Sequence, residues 1–308
     1  MKGFVAKVLF FLLIVAIIDV GVGYVCDNLL THAKGGITRQ TNDLLMVDNH
    51  DVLILGSSRA KHHYDTRFLS DTLGLDVYNA GFDGKGVVLA YGILGMVLER
   101  YQPKLIVYDV EPSFDIYEYA ADNNHKRYIA DLKPYYHHRI VESIIKDVSI
   151  EEWNMIQLSM IRYNTTIISF AIDNIQTRET FPYGYEPLHG EMSKQGKDES
   201  NDSLYEDWFK LKYVSRLIQL SQSNNVPIIV CASPMYGAQT SNLLQPIKEI
   251  CNQYGVTFYD NYANPNYTSH REWFKDKSHL NALGAKIYSR HIAEQIIDTM
   301  NIHQITNN

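Results

Sequence analysis

Two hydroxyls and a cation follow an apolar stretch in Ile54-Leu55-Gly56-Ser57-Ser58-Arg59, and an acid and an imidazole stand three residues apart in Asp276-Lys277-Ser278-His279. These are the residue types of nucleophilic acyl transfer. A serine hydroxyl attacks a carbonyl only after a base removes its proton. Histidine takes protons near neutral pH, and a carboxylate beside it holds the imidazole in the useful tautomer. Backbone N–H groups at a glycine turn suit the developing oxyanion, each worth about 3–4 kcal/mol in the transition state. The amide of Ser58 and that of Gly84, in the loop Asn79-Ala80-Gly81-Phe82-Asp83-Gly84-Lys85-Gly86, are the candidates. The same residues have plainer uses. Gly-Ser-Ser after a strand is a helix cap, Asp-x-x-His also precedes helices as a cap, and glycines permit positive φ.

For the two distant runs to meet, the chain must fold so that strand ends converge. Residues 51–56, 75–78, 105–110, 226–232 and 256–259 read as five short strands, several of them continuous apolar runs of the kind buried on both faces. Between them, 59–73, 87–101, 204–223, 243–254 and 282–300 read as helices. Strands alternating with helices imply a parallel sheet covered on both sides. The expected fold is therefore α/β, a three-layer αβα arrangement with a flavodoxin-like, five-stranded parallel sheet. In such sheets ligands meet the carboxyl ends of the strands. The first strand ends at Gly56, the second leads into the glycine loop, and the last loop supplies Asp276 and His279. The rhythm breaks at 114–203, a mostly helical insertion with helices at 140–146 and 150–174 and a long surface loop at 177–197.

Residues 1–25 stand apart. The run 8–18 is unbroken apolar, Asp19 interrupts it, and 20–25 continues it. Counted from Val8 to Val25, eighteen residues match a hydrocarbon core of about 30 Å, and the absence of a polar face disfavours an amphipathic surface segment. Lys2 and Lys7 favour an amino terminus inside. The expectation is an uncleaved, single-pass signal anchor over 1–25, a linker at 26–50, one domain over 51–300 facing outside the cytoplasm, and a tail at 301–308.

The totals exclude several classes. In 308 residues a net charge of −7 is unsuited to a general nucleic-acid binder. Cys26, Cys231 and Cys251 show no CxxC spacing, so no zinc site is expected; Cys231 reads as a small core residue. Gly81, Gly84 and Gly86 do not match the dinucleotide fingerprint, so no cofactor is expected. The pairs His62-His63 and His137-His138 point in different directions on a helix and read as solvated, with no metal. Ser57 reads as a cap or support, Arg59 as a surface or substrate-facing cation, and Asn79 as a supporting residue where the glycine loop opens.

Together these pieces resemble the SGNH (GDSL-like) hydrolase superfamily. Its first block is a strand ending in Gly-Asp-Ser-x. Here that is Gly56-Ser57-Ser58-Arg59, which matches Ser58 to the nucleophile and puts Ser57 where aspartate is usual. The second block carries an oxyanion glycine, matched by Gly84. The last is Asp-x-x-His, matched by Asp276-Lys277-Ser278-His279 and followed by Leu280-Asn281-Ala282-Leu283-Gly284-Ala285. The resemblance covers 51–113 and 204–300. The third block, Gly-x-Asn, departs: Val110-Glu111-Pro112-Ser113 stands there, with no asparagine and with a carboxylate. Membrane-anchored relatives acting in cell-envelope acylation are more similar than secreted lipases; they include proteins like the D-alanyl-teichoic-acid transfer protein and the alginate-acetylation proteins. The resemblance implies an ester hydrolase or O-acyltransferase acting on an acylated carbohydrate or small ester, with a separate membrane protein as acyl donor where transfer crosses the membrane. The departure in block three opens a second reading, a non-catalytic binding or assembly protein that keeps the fold.

Overall fold

The computed structural model describes residues 1–119, 125–175, 181–193 and 204–306. The helices in chain order are α1 (Lys2–Thr31), α2 (Gly36–Asn42), α3 (Ser58–His63), α4 (Thr66–Leu73), α5 (Val87–Leu98), α6 (Pro112–Asp115), α7 (Arg139–Val148), α8 (Ile150–Met155), α9 (Ser159–Arg162), α10 (Ile167–Ile175), α11 (Trp208–Ser223), α12 (Gln245–Tyr254), α13 (Pro265–Thr268) and α14 (Ala282–Thr306). The strands are β1 (Val52–Gly56), β2 (Val77–Gly81), β3 (Leu105–Asp109), β4 (Tyr117–Tyr119), β5 (Leu204–Glu206), β6 (Ile228–Ala232) and β7 (Phe258–Asp260). They form two compact units, Met1–Val47 with Asn124–Thr180, and Asp48–Asn123 with Phe181–Asn308.

The second unit is an α/β sandwich. Its five-stranded sheet has the order β2-β1-β3-β6-β7 with every pair parallel, the flavodoxin-like order read from the sequence. Side chains alternate along each strand. Val52, Ile54, Val107, Ile229 and Cys231 join a core with Leu69, Tyr288, Ile292 and Ile296, from α4 and α14. The alternate residues Leu53, Leu55, Ile106 and Val230 are equally buried, and α5 and α11, which pack on each other, belong to the opposite layer. Helix α5 is apolar all round, as a helix buried on most sides must be. The short antiparallel pair β4–β5 lies outside this sheet.

Register brings three strand ends level: Gly56 pairs with Gly81 on one side and Asp109 on the other. Gly56 has φ +147°, and a Cβ there would lie 2.5 Å from the Asp109 carbonyl oxygen. Here the strand stops and the chain turns into α3.

Several boundaries differ from the expected ones, each for a local reason. The helix expected over 59–73 is two helices, because Tyr64 is extended and Asp65 caps α4, accepting from the Phe68 N–H at 3.1 Å. Strand β2 runs on to Gly81, because pairing with β1 continues through Asn79 and Ala80. The helix expected from 204 starts at Trp208, where Asp207 caps it. The helix expected over 150–174 is α8, α9 and α10. Of the loop expected at 177–197, residues 177–180 and 194–197 lie outside the described residues.

The first unit is helical. Helix α1 runs to Thr31 and is long and apolar enough to cross a membrane. Residues 26–50, expected as a linker, contain its last turns, α2 and a wider helical turn at Asp43–Val47. Helices α9 and α10 pack on α1. The Asp19 carboxylate accepts the N–H groups of Ser159 and Met160 at 3.0 and 2.9 Å, the Tyr163 hydroxyl donates to Asp27, and the Asn174 amide donates to the Leu29 carbonyl at 2.7 Å.

Candidate active site

At the carboxyl end of β1, Ser57 is the cap of α3: its side chain accepts the Arg59 N–H at 3.3 Å. Ser58 is the first residue of that helix. Amides in a helix's first turn have no intrahelical acceptor, so the Ser58 N–H points out of the helix start beside its own hydroxyl. From the far end of the chain comes the loop before α14. Phe274 and Leu280 bridge its ends, the Lys275 N–H donates to the His279 carbonyl at 2.8 Å, and the Tyr236 N–H donates to the Lys277 carbonyl at 2.9 Å.

These two elements bring the predicted residues together in a line. Ser58 Oγ lies 2.8 Å from His279 Nε2. His279 Nδ1 lies 2.9 and 3.0 Å from the two carboxylate oxygens of Asp276. A carboxylate only accepts, so the imidazole proton sits on Nδ1 and Nε2 is left to accept from the serine. Asp276 is itself held by the N–H groups of Ser278 and His279 at 2.8 and 2.9 Å. Partial burial pushes the Asp276 carboxyl up, but its bonds to His279 and these amides outweigh that and hold it below the ordinary range. It stays ionised at neutral pH and keeps its hold on Nδ1.

The glycine loop is fixed at both ends. The Phe82 N–H donates to the Gly56 carbonyl at 3.1 Å. Asp83 pairs with Lys61 at 2.6 Å and His62 at 3.0 Å, both on α3. At the other end the Val87 N–H donates to Asp115 at 2.8 Å. Between these ties Gly84 takes φ +66°, with open space where a Cβ would be. Asn79 is a clamp: its amide donates to the Ala60 carbonyl at 2.7 Å and its oxygen accepts the Gly81 N–H at 3.0 Å, joining β2 to α3. In the divergent third block the Glu111 carboxylate is engaged locally, accepting from Ser113 Oγ at 2.7 Å and the Phe114 N–H at 2.9 Å as the cap of α6.

Two readings are corrected. Arg59 is not a surface cation. It is 1% exposed, donates to the Ser233 hydroxyl and carbonyl and lies over the Tyr262 ring. His62 and His63 are not solvated, at 6% and 0% exposed. Their rings stand edge-on to His279, with centroids 5.7 and 6.2 Å away. His63 Nε2 accepts the Leu280 N–H at 3.0 Å and its Nδ1 faces Ser233 Oγ at 2.8 Å. Burial, then the charges of Arg59 and the neighbouring histidines, push His63 well below its ordinary pKa, so it is a neutral donor–acceptor bridge.

The buried group Asp109, Ser233, Tyr64, His63 and Arg59 is what sequence reasoning missed. Asp109 accepts from Tyr64 Oη at 2.7 Å and from the N–H and hydroxyl of Ser233 at 2.9 and 2.8 Å. Burial pushes its carboxyl up to about 6 against the pull of Arg59, Tyr64 and Ser233. The network reaches from β3 through His63 to the amide next to His279. A signal was present, since Asp109 and Ser233 each end or follow an otherwise apolar strand, but nothing local said that they meet.

No protein-family model and no curated protein matches the sequence. Among solved structures, similar ones include a protein described as a lipolytic protein of the G-D-S-L family from Desulfitobacterium hafniense DCB-2. It is 9% identical, with 79% of this chain and 98% of that one covered and a TM-score of 0.35. Another is described as an acylhydrolase from Bacteroides fragilis NCTC 9343, 13% identical, with 86% and 97% covered and a TM-score of 0.42. In this chain Ser58, His279 and Asp276 converge beside the carboxyl end of β1 in a sheet of order β2-β1-β3-β6-β7.

Proposed function

We propose that the chain is a serine esterase or O-acyltransferase, held in a membrane by α1, with its α/β unit outside the cytoplasm. Its proposed substrate is an acylated cell-envelope carbohydrate or related ester. The observation that supports this most is the continuous line from Ser58 Oγ through His279 to Asp276. Ser58 Oγ attacks the ester carbonyl as its proton passes to His279 Nε2. Asp276 holds the imidazolium that forms. The N–H groups of Ser58 and Gly84 receive the oxyanion. His279 then gives its proton to the departing alkoxide, leaving an acyl group on Ser58. Water or a sugar hydroxyl, deprotonated in turn by His279, releases it. Water makes the chain a hydrolase, and a sugar hydroxyl makes it a transferase. The envelope polymer and a membrane acyl donor come from the resemblance to membrane-anchored acylation proteins.

The test is turnover of a small acetyl ester together with labelling by a fluorophosphonate. Wild type turns over and labels, whereas Ser58→Ala does neither while its thermal unfolding is unchanged. Turnover retained in Ser58→Ala removes the assignment. The block-three departure favours one competing reading, an envelope binding or assembly protein with this fold. A well-folded wild type that neither labels nor turns over establishes that reading instead.

A further inference from the structure

Helix α1 does not stand alone in its unit. Its apolar residues from Phe4 to Ile18 are exposed, but Asp19, Gly23, Cys26 and Leu30 form a buried stripe at helical spacing. Helices α9 and α10 cover this stripe. A Cβ on Gly23 would lie 2.5 Å from Ser159 Oγ, so glycine lets α9 approach the helix axis closely, as small residues do where membrane helices pack.

The hydrogen bonds give each contact a level along α1. The start of α9 is bonded to Asp19, Tyr163 to Asp27, and the end of α10 to Leu29. The Asp173 backbone and side chain then tie to Lys34, Gly35 and Thr38. At 1.5 Å per residue, Asp19 lies about 9 Å inside the outer end of the apolar run that closes at Val25. A bilayer that covers this run therefore also covers the start of α9. A lone aspartate at that depth is costly. Here its two oxygens take the first amides of α9, so the insertion supplies what makes Asp19 tolerable there.

On either side of Ser159, at the level of Asp19, stand two exposed apolar side chains, Leu158 and Met160. Both are 52% exposed. We infer that the turn into α9 lies in the outer leaflet of the bilayer, with Leu158 and Met160 in contact with acyl chains, so that the insertion dips into the membrane beside α1 and widens the single-helix anchor. The level of this turn, beside Asp19 and about 9 Å inside the apolar run of α1, selects lipid as the occupant. The inference rests on the reading of α1 as a membrane-spanning helix.

Nitroxide labels on single cysteines test both layers separately. The full chain carries Leu12→Cys, Leu158→Cys, Met160→Cys or Glu142→Cys and is reconstituted in phosphatidylcholine–phosphatidylglycerol vesicles. Cys26, Cys231 and Cys251 are buried, so the unsubstituted chain gives the labelling background. Collision of each label with oxygen, which concentrates in lipid, is compared with collision with a water-soluble nickel chelate. Oxygen dominates at 12, 158 and 160, and nickel dominates at 142, a charged position on α7 that serves as the aqueous reference. Nickel dominance at 158 and 160 with oxygen dominance at 12 overturns the inference and leaves the anchor standing. Nickel dominance at 12 removes the anchor and the inference with it. Labels at 158 and 160 shielded from both reagents mean a protein surface or a second copy covers this turn, which overturns lipid as its occupant.

Discussion

Asp276 decides whether the serine–histidine pair works as a base. With Asp276 ionised, the proton of His279 is fixed on Nδ1 and the lone pair of Nε2 faces Ser58. In Asp276→Asn the amide would present either a donor or an acceptor to Nδ1. If its NH2 faces the ring, the tautomer flips and Nε2 acquires the proton, so it cannot accept from the serine. Such a change costs about 10⁴ in rate in serine proteases. The expected outcome is a loss of kcat of about two to four orders of magnitude, with KM and the thermal midpoint little changed because Asp276 is half exposed. Steady-state kinetics on an acetyl ester beside a melting curve check this, and retained kcat would show that Asp276 only caps the loop. The buried His63 bridge acts one step further out. It holds the Leu280 amide, hence the residue after His279, against a network rooted in β3.

At the scale of elements, the nucleophile is positioned by how closely α3 approaches β2. Gly81 makes that approach possible: a Cβ there would lie 2.5 Å from the Lys61 nitrogen and 2.9 Å from the Ala60 Cβ. Both neighbours belong to a six-residue helix that carries Ser58 at its start. Overpacking of this kind costs about 1–3 kcal/mol. Gly81→Ala should therefore lower the stability of the α/β unit by that order and lower kcat as well, since α3 moves to make room. Denaturant titration and ester turnover on one preparation check the two effects, and an unchanged midpoint would mean that the helix yields freely. Elements like these were legible to different degrees. Strands β1, β3 and β6 could be read because they are buried apolar runs, and Ser58, Asp276 and His279 because they follow such a run or stand in the loop before the last helix. The Asn79–Gly81 part of β2 could not, because its strand character comes from its partner β1. Residues 150–174 were read as one long helix because apolar spacing persists across breaks at Gln157-Leu158 and Asn164-Thr165. The partner at the first of those breaks is Asp19, about 140 residues away in sequence. Arg59 was misplaced on the surface because nothing local reveals that a cation will be covered by Ser233 and Tyr262.

For the molecule as a whole, folding buries ionisable groups whose proton affinities shift in opposite senses, and this sets how stability follows pH. Burial pushes the Asp115 carboxyl up to about 7, despite donors from Glu111, Tyr108 and Val87, and Asp109 up to about 6. In the unfolded chain both would release their protons near the ordinary value of 3.8. Between about pH 4 and 7 the folded chain thus binds more protons than the unfolded one, so these two groups make stability fall as pH rises. At 1.36 kcal/mol per pH unit the effect is about 3–4 kcal/mol for each group across its window. His63 acts oppositely. It is held well below 6.5 in the folded state, so the unfolded chain takes up its proton first as pH falls below about 6.5, and stability is lost on that side. Asp115→Asn separates these contributions. It adds a constant cost, because an amide cannot accept from all three donors, but it removes one titrating carboxyl. Urea unfolding of the full chain in detergent at pH 4.5 and 7.5 should show the wild type losing, relative to Asp115→Asn, about 3 kcal/mol between the two conditions. A difference that does not change with pH would mean that Tyr108 and the two amides hold Asp115 ionised throughout, its burial fully compensated.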